Sequence, residues 1–151
     1  MILNFPKAIF FLQLFKVYYF TIPFFLIAIF AFFTSAGIGA NDAANAFATS
    51  VGSKALTIKQ AVFLAAIFET AGAILMGSHV TNTIRKDIAD YKCFEGDADL
   101  LMYGCMWVIL AVGLWLFLAT YLEMPVSTTH SCVGGMIGMA MVLKGSECVI
   151  W

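Results

Sequence analysis

Leu100 to Leu122 reads LLMYGCMWVILAVGLWLFLATYL, 23 residues without an Asp, Glu, Lys or Arg among them. At about 1.5 Å per residue, a helix of that length covers about 35 Å, enough to cross a hydrocarbon core of about 30 Å. Lipid asks that every backbone polar group be satisfied within the segment, and a helix does so. This stretch is the clearest spanning helix in the chain.

Before it, Val17 to Ala40 is also free of charge, with Tyr18 and Tyr19 at its start, where an interfacial aromatic belt is expected. Pro23 is expected near the helix start, where it removes little from the hydrogen-bond ladder. Ile9 to Phe15 is apolar but too short to span, and suits the interface. Lys7 is a weak n-region, and the apolar run after Lys16 is longer than the roughly 7–15 residues of a signal-peptide h-region, so the reading is a retained span. A second span covers Ala61 to Ser78, interrupted by Glu69. A polar connector, Thr81 to Asp99, then holds Arg85, Lys86 and Lys92 against Asp87, Asp90, Glu95, Asp97 and Asp99. Beyond Leu122, Glu123 and Pro125 break the pattern. Val126 to Leu143 begins with hydroxyls and becomes Gly- and Met-rich, which reads as a re-entrant or broken helix. The expectation is an all-α polytopic membrane protein with about three spans (17–48, 60–79 and 100–122), a broken helix over 125–143, and an N-terminal segment, 1–16, preceding a membrane domain over 17–151.

Composition agrees. Only 11% of the 151 residues are charged, against roughly 25% in soluble domains. A net charge of −1 offers no basic field for nucleic acid. The cysteines, Cys93, Cys105, Cys132 and Cys148, show no CxxC spacing and no neighbouring His pair, so neither a metal site nor a redox motif is expected. Three of the four lie in or beside apolar segments, where Cys behaves as a small hydrophobe, and no redox compartment follows from them. The positive-inside count weakly favours a cytoplasmic N-terminus and second connector.

Three polar features stand out where polar groups are expensive. In Gly37-Ile38-Gly39-Ala40-Asn41-Asp42-Ala43-Ala44-Asn45-Ala46, a helix would place Asn41, Asn45 and Thr49 on one face with Asp42 beside them. Gly37 and Gly39 permit unwinding or close approach to a neighbour. An Asp at membrane depth is a functional-site hypothesis by default, and the structural alternative is a helix cap at the water boundary. Glu69 shares a wheel face with Ala65, Ala66, Gly72, Ala73 and Met76, while Phe63, Ile67 and Ile74 fall opposite. That points the carboxylate inward, where it must be protonated, paired or bound to a cation, or else serves as a structural hydrogen bond. Pro125-Val126-Ser127-Thr128-Thr129-His130 reads as a capped helix start, whose free N–H groups and partial positive charge suit an anion. The alternative is a capped helix without a ligand. His130 could orient a hydroxyl.

Hydroxyls and a helix start favour an anion that Asp42 and Glu69 would repel. A cation or proton lodged between them reconciles the two, each ligand raising the other's affinity, which is the thermodynamic basis of symport.

Gly39 to Phe47, then Thr49 to Ser53, Leu56-Thr57, Gln60-Ala61, Ile67 to Thr70, Thr83 to Lys86, Pro125 to His130 and Val133-Gly134 together resemble the signature of the PiT inorganic phosphate transporters. The resemblance runs in order from about Gly37 to Leu143. It implies symport of inorganic phosphate with sodium or a proton, an extracellular N-terminus, and inverted repeats that share one central site. By motif position it implies phosphate binding by Asp42, Asn45, Ser127, Thr128 and Thr129. Cation binding or coupling falls to Asn41, Asp42 and Glu69, with Gly37, Gly39 and His130 in support. No cofactor is expected, and no metal beyond sodium; the partners are phosphate, the coupling ion and lipid, with a second copy of the chain left open. The plasma membrane is the expected location, an organelle membrane the alternative. The chain carries one GAND-type segment where the resemblance implies two. The expectation is therefore a fragment of a longer transporter that does not transport alone, or else a structural membrane subunit. An intramembrane enzyme, resting on Ser127 and His130 without an oriented third group, is set aside.

Overall fold

The computed structural model describes residues 5–150, with side chains from Tyr18 onward except that of Arg85. Its helices are α1 (Phe5–Gly52), α2 (Ile58–Lys86), α3 (Ala98–Tyr121) and α4 (Thr128–Lys144), with 3-10 turns at Tyr91–Phe94 and Ser146–Cys148. Tyr18–Gly52, Ile58–Ile84 and Ala98–Tyr121 are long and apolar enough to cross a membrane, in agreement with the expected three spans. α4 has 17 residues, about 25 Å, which falls short of a hydrocarbon core of about 30 Å.

The first helix departs from the sequence reading. From Phe5 onward it continues without a break, so Ile9 to Phe15 and the following span form one helix, and Pro23 lies buried well inside it. Pro23 has no N–H, so the Tyr19 carbonyl loses its i+4 donor. Membrane helices tolerate that loss because neighbouring groups can re-satisfy the freed carbonyl. Gly37 and Gly39 are helical too, so the backbone does not unwind there. Thr81 to Lys86, read as connector, belongs to α2. α2 starts on a capping box, with Thr57 N–H donating to Gln60 Oε1 at 3.0 Å and Gln60 N–H donating to Thr57 Oγ1 at 3.4 Å.

Bulky apolar side chains point outward on every helix, among them Phe25, Phe32, Ile74, Leu75, Trp107 and Val142. Among the described residues, Leu116 is the large side chain that is fully buried. With lipid as solvent, burial of such groups brings the helices little, and close approach at small residues holds them instead. α1 and α3 run parallel: Tyr19 packs edge-on to Tyr103, Thr34 Oγ1 donates to the Ile109 carbonyl at 2.9 Å, and Gly37 faces Leu116. α4 returns antiparallel along α3, with Gly135 against Val108 and Met139 and Leu143 against Gly104. A Cβ on Gly113 would fall 2.5 Å from Thr34 Oγ1, a short side chain that cannot swing away. Gly113→Ala is therefore expected to destabilise the protein by about 1–3 kcal/mol, read as a lowered melting temperature in detergent.

The end of α2, the start of α3 and the segment after α4 meet in a cap. Cys93 and Cys148 are disulfide-bonded across 55 residues of sequence, a pairing that the sequence reading did not anticipate. Ala89 and Val149 form an isolated antiparallel bridge, with Asp90 N–H donating to the Cys148 carbonyl and Ile150 N–H to the Ile88 carbonyl. Lys144 pairs with Asp97 and lies over the buried Phe94 ring. Cys105 and Cys132 remain free and half-buried. No cluster of metal-ligating side chains occurs among the described residues.

Candidate functional site

The site is built on the turn that joins α3 to α4. Glu123 N–H donates to the Thr120 carbonyl at 3.1 Å and Met124 N–H to the Ala119 carbonyl at 2.8 Å, the paired bonds of a Schellman ending. That ending needs a left-handed residue, ordinarily Gly. Here Glu123 takes the role at φ 57°, a conformation that costs a side-chain-bearing residue roughly 1–2 kcal/mol. A turn so placed needs outside support.

Asn41 supplies it from α1. Its Nδ2 donates to the Met124 carbonyl at 3.2 Å and to Thr120 Oγ1 at 3.4 Å. Its Oδ1 accepts from Val126 N–H at 3.3 Å and from Asn45 Nδ2 at 3.0 Å. An Asn amide can make four hydrogen bonds, and this one makes all four. The side chain is 4% exposed, so it is locked among protein partners. One turn on, Asn45 also donates to the Val126 carbonyl at 3.4 Å, which occupies its amide hydrogens and leaves its oxygen without a partner among the described residues.

This support positions the start of α4. Ser127 caps the helix, its Oγ accepting from His130 N–H at 3.3 Å and lying 2.7 Å from His130 Nδ1. His130 thus orients a hydroxyl. Ser131 N–H is the first to bond within the helix, to the Ser127 carbonyl, so the Thr128 and Thr129 N–H groups have no intrahelical acceptor. Thr128 Oγ1 donates to both oxygens of the half-buried Asp42, at 3.0 Å each. Acid and helix start therefore stand one hydrogen bond apart. Asp42 does not cap a new helix, because α1 runs through it to Gly52. Thr129 is exposed. Thr128→Val removes the donor, whereas Thr128→Ser keeps it. A charge-assisted hydrogen bond contributes about 1.5–3 kcal/mol, less where the pair is only half-buried as here, so the valine variant is expected to melt a few degrees lower in detergent and the serine variant close to the parent.

An open cleft of about 420 Å³ lies between α1 and the turn, lined by Asn41, Asn45, Thr120, Glu123 and Pro125 among others. Sequence reasoning used Glu123 only as a helix stop. Its carboxylate is legible as an acid close to Pro125, but its place in one cleft with Asn45 is not. Glu69 stands apart. It is exposed on α2, as are Gly72, Ala73 and Met76, and α2 meets α1 through Ala61 and Ala65 instead. Among the described residues the stripe is covered at Ala65 but left open from Glu69 to Met76, so the expected inward packing of Glu69 is not made by these helices. Gly37 makes the close approach to α3 already described, while Gly39 meets open space.

The model of the phosphate transporter family matches residues 38–151. The chain belongs to the phosphate transporter family. With its three apolar spans, this phosphate transporter family member is an integral membrane protein, and a transporter-family protein rather than an enzyme. It is 50% identical over 123 residues to the chloroplastic inorganic phosphate transporter 2-1 of Arabidopsis thaliana, covering 82% of this chain and 21% of that protein. It is 45% identical over 112 residues to the sodium-dependent phosphate transporter 1 of Rattus norvegicus, covering 74% of this chain and 16% of that protein. A solved structure named the sodium-dependent phosphate transporter superposes with a TM-score of 0.79 at 41% identity, over 85% of this chain and 32% of that one. The family member thus spans between 16% and 32% of the length of these relatives.

Proposed function

We propose that the intact protein takes up inorganic phosphate together with sodium, and that the α1–α4 contact supplies part of the shared site. The observation that carries this reading is the Thr128 hydroxyl held between both oxygens of Asp42. It puts a carboxylate beside the helix start where an oxyanion would dock. The free N–H groups of Thr128 and Thr129, with the Ser127 and Thr129 hydroxyls, are donors suited to phosphate oxygens. Asp42 would repel that anion unless a cation neutralised it, and the Asn45 oxygen, the Asp42 oxygens and the lone pairs of Thr128 Oγ1 are hard oxygen ligands suited to one. Asn41, with its amide saturated by protein partners, serves as a positioning residue rather than a direct cation ligand. Glu69 awaits partners beyond these helices.

Relatives named as sodium-dependent favour sodium over the proton. Uptake of labelled phosphate by the intact protein, with sodium replaced by choline at fixed pH, tests this. Sodium coupling predicts that uptake collapses. Uptake that survives choline but follows an imposed pH gradient would transfer the coupling to protons. The plasma membrane is the proposed location.

A further inference from the structure

α4 carries the phosphate-facing hydroxyls at its first turn, and its position is fixed at both ends by different means. At the start, hydrogen bonds from Asn41, Asn45 and Thr128 join it and its turn to α1. Along its length it packs on α3, with Met139 and Leu143 seated against Gly104 and Val108 against Gly135. At its far end, beyond Gly145, Cys148 is bonded to Cys93 in the connector between α2 and α3. Other ties there are the two backbone bonds beside the Ala89–Val149 bridge, the Lys144–Asp97 pair, and the buried apolar cluster of Ala89, Ala140 and Val149. Asp97 is 54% exposed, and an ion pair so open to water holds little. The disulfide is the strong tie.

We infer that Cys93–Cys148 is a redox-dependent positioning clamp, which in its oxidised form faces an oxidising compartment and keeps the start of α4 in register with Asp42. It forms when the two thiols pass two electrons and two protons to a disulfide-donating oxidant by thiol–disulfide exchange. A phosphine reductant reverses it, giving two thiols and, with water, the phosphine oxide. Disulfides persist on the non-cytoplasmic side of cellular membranes, which sets this cap against the charge count that placed the connector in the cytoplasm. α2 separates the cap from the Lys54 turn, so the two lie at opposite ends of the helix. The uptake readout rests on the phosphate-transport reading; the labelling readout does not.

The test uses the intact protein in intact cells, with a membrane-impermeant phosphine and a membrane-impermeant maleimide. Cys93 and Cys148 are expected to resist the maleimide until external phosphine is added, and then both to label. Glu95→Cys should label from outside and Lys54→Cys only after permeabilisation. External phosphine should lower uptake at sub-saturating phosphate about threefold to tenfold, through a raised apparent KM with the maximal rate little changed. Cys93→Ser/Cys148→Ser should show the reduced uptake from the outset and ignore phosphine, whereas Cys105→Ser/Cys132→Ser should respond like the parent. Should the first pair fail to fold, the parent still decides, because labelling of Cys93 and Cys148 must rise in step with the loss of uptake. The clamp is overturned if these thiols label without reductant, if phosphine acts only from the cytoplasm or after denaturation, or if they open with uptake unchanged. A parent that takes up no phosphate at all defeats the transport reading, and labelling alone then judges the disulfide and its sidedness.

Discussion

Asp42→Asn in the intact protein is expected to lower phosphate uptake by about 10- to 100-fold while the amount of protein in the membrane stays near that of the parent. The carboxylate accepts the Thr128 hydroxyl on both oxygens, and no other side chain in the described residues donates to it. A neutral amide is nearly the same shape, so helix packing is preserved. It lacks the charge that would hold a cation beside a docked oxyanion, and losing a charge-assisted interaction of about 1.5–3 kcal/mol accounts for the expected factor. Asp42→Ala goes further by also freeing Thr128, and it separates transport from scaffolding. A transporter keeps its surface expression and loses uptake; an assembly subunit keeps neither its complex nor its abundance. Unchanged sodium dependence in Asp42→Asn would sink the assignment of Asp42 to the coupling site.

Asn41→Ala should act on stability first. The substitution strips four hydrogen bonds and leaves the Val126 N–H and the Met124 carbonyl without their side-chain partner, on a turn that already carries a left-handed Glu123. Each group left unsatisfied costs about 1–3 kcal/mol when buried, and these are partly buried, so a total of about 2–4 kcal/mol is expected. Thermal unfolding of the purified protein should show a marked drop in Tm, accompanied by loss of uptake. Asn41→Asp keeps the acceptor but turns a carboxylate oxygen toward the Met124 carbonyl, and should be destabilised as well. The opposite pattern, an unchanged Tm with a steeply raised sodium requirement, would return Asn41 to the role of direct ligand.

Much of this was readable in the chain itself. Two charge-free runs, and a third broken only by Glu69, announced three spans because lipid disfavours unpaired charge. The i, i+4 spacing of Asn41 and Asn45 placed both on one face of α1, and both reach the same turn. Pro125 and the hydroxyls after it located the start of α4 to within a few residues. What escaped reading depends on partners that have no letter of their own. Asn41 bonds chiefly to backbone groups of Met124 and Val126, which any residues at those positions would present. The Cys93–Cys148 pair is one of six pairs that four cysteines offer, each as plausible as the next until the helices bring two of them together. Gly37 and Gly39 permit a break in α1, and Pro23 invites one. Packing against α3 keeps the helix whole, and that packing is set by residues about 80 positions away. Glu69 was assigned a direction by its wheel, but a wheel cannot say which neighbour arrives to meet it.

The reversal after α3 has a consequence for biogenesis. Its geometry is fixed by an asparagine made 83 residues earlier than the carbonyl it holds. During synthesis, the first span must wait in the bilayer as a template until Met124 and Val126 emerge beside it. The short fourth helix, with a strained corner before it and too little length to anchor itself across the membrane, settles onto that template and along α3. Ribosome-bound chains cut within α1 should therefore still insert α3, yet leave the residues after it accessible to protease.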